Sequence, residues 1–168
     1  MKQLDPKAVW LFFINYLISF GVLLGLIIFG IWAPALFAVG FSISSLLLSI
    51  FLLVLFVLIF SYVIAKWTYG YYRYEMSELA FKKEHGIIWK KYVSIPYDRI
   101  QNVDIYRGVF ARLLGLSDIQ IQTAGGITAG SYGAFSEGRL IGVSKEEAEK
   151  LRDELIQKAR NSRTGQGL

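Results

Sequence analysis

Between Lys7 and Lys66 the chain contains no Asp, Glu, Lys, Arg or His. An uncharged stretch of that length constrains the fold more than any other feature, because a bilayer requires it and a soluble core does not. The block holds two runs, Val9 to Trp32 and Ala35 to Ala65, divided by the sequence WAPA, in which Pro34 suits the first turn of a new helix. As a helix the first run is about 36 Å long, against a hydrocarbon core of about 30 Å. The second is longer and must tilt or project beyond the bilayer. The expected N-terminal unit is therefore a transmembrane helical hairpin over residues 1–68, with spans at about 9–32 and 35–65.

The second span leaves the bilayer through SYVIAKWTYGYYRY. Here Tyr62, Trp67, Tyr69, Tyr71 and Tyr72 interleave with Lys66 and Arg73, as amphipathic rings and snorkelling cations do at a headgroup boundary. Tyr62, Lys66, Trp67, Tyr69 and Arg73 are the expected interface anchors. Lys2 and Lys7 precede the first span, Lys66 and Arg73 follow the second, and the connecting turn has no cation. The positive-inside rule then places both termini in the cytoplasm. Ala33-Pro34-Ala35 imitates a signal-peptide cleavage site, but the apolar run before it is about twice the usual length of such a signal's core. Gly21 and Gly25 form a G-x-x-x-G, and Gly40, Ser44, Ser45 and Ser49 add further small residues. We read these as packing of the two helices on each other, with a dimerisation face as the alternative. A span without acidic, basic or His residues argues against a proton relay, an ion-coupled transporter or an intramembrane protease.

Apart from Lys2, Asp5 and Lys7, every charge lies from Lys66 onward, and the whole chain is +5. Cations spread in this way favour an anionic lipid surface more than nucleic acid. With no cysteine and a single His there is no disulfide framework and little basis for a zinc site. Period-two alternation dominates this half. YGYYRYEM, IIWKKYVSI, RIQNVDIY, DIQIQTA and GRLIGV read as strands, with Ile87, Trp89, Val93 and Ile95 on one face of the second and Lys91 as the exception. His85-Gly86 reads as a hairpin turn, and GVFARLLGL as one helical turn or a tight crossover. Ser144 and Glu147 form a capping box for a final helix whose Ala148, Leu151, Leu155 and Ala159 make one apolar face. The expected fold class is two transmembrane α-helices followed by an α+β domain: a small antiparallel barrel or sandwich capped by a C-terminal helix.

Ile95-Pro96, Ile100-Gln101 and Val103, then Arg112-Leu113 with Gly115-Leu116, then Ile119, Ile121 and Thr123 with Gly125-Gly126, resemble the signature of the bacterial pleckstrin-homology (PH) domain family, also called DUF304 or YdbS-like. The resemblance covers roughly Tyr69 to Arg160. It implies a PH-like antiparallel β-barrel or sandwich of about seven strands capped by a C-terminal helix, over 69–160 and attached to a membrane; residues 161–168 are expected to be a disordered tail. Arg107 stands where such proteins often carry Gln.

TAGGITAGSYG, Thr123 to Gly133, has the glycine density of a phosphate-binding loop. It lacks the Lys and the following helix that such a loop needs, so it reads as a connection between two strands. Asp98, Asp104 and Asp118 have no His or Cys partner in sequence, and Ser94, Ser117, Ser131 and Ser136 stand in no nucleophile motif. The expected function is a non-catalytic interaction module at the cytoplasmic face, without cofactor, metal, nucleic acid or small-molecule substrate. Its partners would be the lipid bilayer and another membrane protein or a second copy, contacted through Lys82, Lys83, Lys90 and Lys91. The alternative is an accessory subunit of a transport assembly.

Overall fold

The computed structural model describes residues 1–32, 42–123 and 138–164. Pro34 and the glycine-rich loop, including Gly125 and Gly126, lie outside the described residues. The chain forms two compact units, one of residues Phe12–Trp67, the other of Met1–Leu11 together with the chain from Thr68 onward.

The first unit is built by two helices, α1 (Ala8–Ile27, continuing as a π-helical turn Ile28–Trp32) and α2 (Ile43–Tyr71). Among the described residues, Ala8–Gly30 and Ile43–Tyr71 are long and apolar enough to cross a membrane. The helix expected from Ala35 is described only from Ile43. It also runs past Ala65 to Tyr71, because nothing in AKWTYGY breaks a helix before Gly70 in its last turn. Its 29 residues give about 44 Å of helix. The two helices meet through rings: Phe13 lies edge-on to Tyr62 with centroids 6.2 Å apart, and Phe20 lies 5.4 Å from Phe60. Of the expected small-residue seam, Gly40 lies outside the described residues, and Gly21 and Gly25 make no close contact among the described ones. A Cβ built at Gly21 or Gly25 would meet nothing within 4 Å, since bulky rings rather than glycines form these contacts.

The second unit has seven strands among the described residues, all paired antiparallel. One sheet runs in the order β1 (Lys2–Gln3), β2 (Arg73–Met76), β3 (Ala80–His85), β4 (Lys91–Pro96). The other contains β5 (Ile100–Tyr106), β6 (Leu116–Thr123) and β7 (Gly138–Ser144). A 3₁₀ turn, Tyr97–Arg99, carries the chain from one sheet to the other, and a short helix α3 (Val109–Leu113) links β5 to β6. Among the described residues no strand ladder joins the two sheets, so the barrel is not closed.

Strand β1 lies ahead of the first span and pairs with β2 just after the second, Lys2 opposite Tyr74 and Gln3 opposite Arg73. Tyr69 reinforces the junction, its hydroxyl donating to Leu4 O at 3.2 Å. Alternation in β5 is interrupted by a bulge between Ile100 and Asn102. Ile100 and Val103 are three apart and would face opposite ways in a regular strand; the extra residue puts both into the core. A second irregularity lies where β7 passes Asp118, with Gly142 at φ +75°. A Cβ there would come within 2.7 Å of the Ala8 Cβ, so glycine answers both the backbone and the close approach.

Helix α4 (Lys145–Thr164) closes the unit. Ser144 Oγ accepts from Glu147 N at 3.3 Å, and Ala148, Leu151, Leu155 and Ala159 are all buried. Only half of the expected capping box forms, because the Glu147 carboxylate turns instead to Lys2 Nζ (3.2 Å) and the Tyr74 hydroxyl (3.1 Å). The helix continues through Thr164, beyond the Arg160 at which the sequence ended the domain, and Arg163 donates to Ile100 O.

Candidate functional site

The four lysines singled out from the sequence do not share a surface. In β3 the side chains alternate, so Lys82 points to solvent while Lys83 follows Phe81 into the core. Lys83 is 6% exposed and its ammonium donates to Arg139 O at 2.7 Å. Surface contact through Lys83 is therefore ruled out by the pleat: a doublet on a strand divides itself between two faces. Lys82 stands in mid-strand opposite Glu75 of β2 and Ser94 of β4. Lys90 and Lys91 are exposed at the other end of the hairpin. Lys90 Nζ lies 3.7 Å from Glu84 Oε1 and 5.7 Å from the centroid of the Tyr71 ring.

The strand expected from Ile87 begins only at Lys91. Gly86 adopts φ +110°, and a Cβ there would sit 2.0 Å from the Trp89 carbonyl oxygen. The chain thus folds into a loop over residues 86–90, leaving Ile88 79% and Trp89 85% exposed. Lys91, the exception to the apolar alternation, was the available signal that no single strand ran through this stretch. His85 closes β3 opposite Lys91, with its ring 5.6 Å from that of Tyr72 and its Nδ1 buried without a hydrogen-bond partner. Burial first, then the charges of Lys83 and Lys91, lower its pKa below the usual imidazole value.

Asp118, which has no His or Cys partner in sequence, is buried. One oxygen accepts from Arg139 Nη2 at 2.7 Å and the other from Gly142 N at 3.1 Å. The Arg139 carbonyl in turn accepts from Lys83 and, at 3.0 Å, from the Tyr72 hydroxyl. This network ties β3, β6 and β7 to Tyr72, the residue just before β2, and its carboxylate is committed to structure. Asp104 is exposed and accepts from Asn102 and Gln122. Ser117 is buried with its hydroxyl unpartnered. Among the described residues no three His, Cys, Asp or Glu side chains gather as a metal site.

The residues that carried the family resemblance lie mostly in or beside the core. Ile95 and Ile100 are buried, Pro96 is half-buried, and Thr123 ends β6 opposite Ile100. Gly115 takes φ +72° after α3, a left-handed turn that favours glycine. Gln101 and Arg112 are exposed. Of the expected anchors, Tyr62, Lys66, Trp67 and Arg73 are exposed, and Tyr69 is half-buried against the N-terminal segment. A second exposed apolar cluster was not foreseen: Tyr106, Val109, Phe110 and Leu113, around α3.

A family model described as the bacterial PH domain matches residues 11–159. The chain is 33% identical over 105 residues to the UPF0699 transmembrane protein YdbT of Bacillus subtilis (strain 168), a match that covers 62% of this chain and 20% of the relative. The chain thus spans about one fifth of the length of that curated relative. No solved structure matches it.

Proposed function

The chain belongs to the bacterial PH domain family, and from that premise we propose that it is a membrane-anchored, non-catalytic docking module whose PH-like domain works at the cytoplasmic face. The pairing of β1 with β2 carries this reading. Residues before the first apolar helix are hydrogen-bonded to residues just after the second, so both outer ends of the hairpin lie on one side of a bilayer. Lys2, Lys7, Lys66 and Arg73 sit on that side, which favours the cytoplasm. A domain stitched to its anchor at both ends has little freedom to leave the lipid surface, and its lysine-bearing hairpin supports a role in reading that surface.

Membrane-impermeant maleimide labelling of Leu79→Cys tests the reading directly, since the chain has no other cysteine. Leu79 is 82% exposed. Labelling is expected only after the cells are permeabilised; labelling of intact cells would place the domain outside and overturn the proposal. Docking of a protein partner is a second reading, favoured by the exposed apolar side chains around α3. A photo-cross-linker at Leu113 should then capture one discrete adduct that Phe110→Asp abolishes.

A further inference from the structure

The strand register places the two ends of the four-stranded sheet in different surroundings. Strand β1 runs toward the first span and β2 runs away from the second, so one end of the sheet is where the chain enters and leaves the apolar helices. Arg73, the first residue of β2, pairs with Glu84, and His85 pairs with Lys91. The β3–β4 loop therefore lies at that same end, and the β2–β3 turn with Leu79 lies at the opposite one. Lys90 over the ring of Tyr71, the residue that closes α2, fixes the placement independently. At this end the sheet presents Ile88 and Trp89 beside Arg73, Lys90 and Lys91, all exposed. A lone exposed Leu, such as Leu79, is ordinary surface. A Trp and an Ile together on a loop tip, next to cations and one helix end from a span, have the composition of a membrane-interface element.

Resting on the reading above, we propose that the β3–β4 loop is a lipid-docking tip. Ile88 and Trp89 enter the headgroup and upper acyl region of the bilayer that holds the spans, while Arg73, Lys90 and Lys91 bind phosphates of anionic lipids there. The chemistry matches at both levels. Tryptophan prefers the headgroup depth, the isoleucine side chain gains by leaving water, and cations are attracted by an anionic surface within a Debye length. Lys82 has no part in this contact, because it stands in mid-strand opposite Glu75. The family of four lysines suggested by sequence thus reduces to two, joined by Arg73 and by two apolar residues.

The absence of cysteine allows a clean test on the full chain. Ile88→Cys and Leu79→Cys, each labelled with an environment-sensitive fluorophore, are reconstituted into phosphatidylcholine vesicles with and without phosphatidylglycerol. At position 88 we expect blue-shifted emission and loss of quenching by a water-soluble quencher when phosphatidylglycerol is present. The effect should weaken when Lys90 and Lys91 are changed to Glu and should be partly reversed by salt. Position 79 should report water throughout. A position 88 as wet as position 79 in anionic vesicles overturns the proposal. Protection at 88 in native membranes but not in pure lipid also overturns it, by assigning the tip to a protein partner. The maleimide test of sidedness is separate: if it fails the anchored-module reading fails, whereas sidedness confirmed with a wet position 88 sinks only the tip.

Discussion

Two regions of the domain use charge in opposite ways. On the β6–β7 ladder Asp118 is buried and spends its whole carboxylate inside the molecule, on Arg139 and on the Gly142 amide. At the β3–β4 loop the cations Lys90 and Lys91 are exposed and stand beside exposed apolar residues. The first arrangement fixes a bulge and joins strands; the second, apart from the Lys90 contacts with Glu84 and the Tyr71 ring, faces outward. The contrast separates residues that make the domain from residues that it presents. It also explains why Lys83, one position from an exposed lysine, belongs with the first group.

The sharpest way to break the contrast is to remove Asp118. Asp118→Ala leaves the Gly142 amide and the Arg139 guanidinium without their acceptor. A fully buried pair broken in this way costs roughly 3–5 kcal/mol, and because Arg139 remains 31% exposed the expected loss is about 2–3 kcal/mol. Hydrogen exchange of β6 and β7 amides in the solubilised full-length protein should show it as faster opening. Asp118→Asn keeps an acceptor for Gly142 and should lose about 1 kcal/mol. Equal exchange in all three proteins would mean that the pair is not holding the ladder.

Gly86→Ala acts on the other region with a smaller effect. The φ of +110° and the 2.0 Å approach to the Trp89 carbonyl leave no room for a methyl group, so the loop must open at a cost of about 1 kcal/mol or more. The penalty should be confined to residues 85–91 in hydrogen exchange, and the label at position 88 should lose its lipid response. If β6 and β7 also loosen, the two regions are coupled and the contrast is too sharply drawn.

Much of the domain was legible because core strands and the last helix obey their periods. The apolar face of Ala148, Leu151, Leu155 and Ala159 needed only 3.6-residue counting, and all four are buried. Strand β1 was not legible, since two residues carry no period and their partner strand lies in sequence beyond both apolar helices. The bulge between Ile100 and Asn102 was hidden because sequence alternation assumes a regular ladder. At the candidate site, hairpin and lysines were visible, but a Lys doublet does not announce which member turns inward. Trp89 reads onto one strand face with Val93 because the spacing fits a strand; only the geometry at Gly86 shows that the strand has not yet begun.

The smallest expected effect is a pH dependence of the hairpin. His85 is held below its ordinary pKa by burial, with Lys83 and Lys91 adding repulsion. Relative to an unfolded value of about 6.5, the folded state binds the proton less readily. Its contribution to stability is therefore present above that value and is lost as pH falls through the lowered folded pKa. Exchange of β3 and β4 amides, corrected for its intrinsic pH dependence, should speed up on acidification in wild type and not in His85→Gln. Identical behaviour of the two proteins would remove His85 from the account. The same measurement sharpens the comparison between lipids, because the negative potential of an anionic surface stabilises a nearby protonated imidazole. A tip docked on phosphatidylglycerol should therefore displace the acid loosening to a different pH from that seen in phosphatidylcholine, whereas a tip that stays in water beyond the Debye length should loosen alike in both.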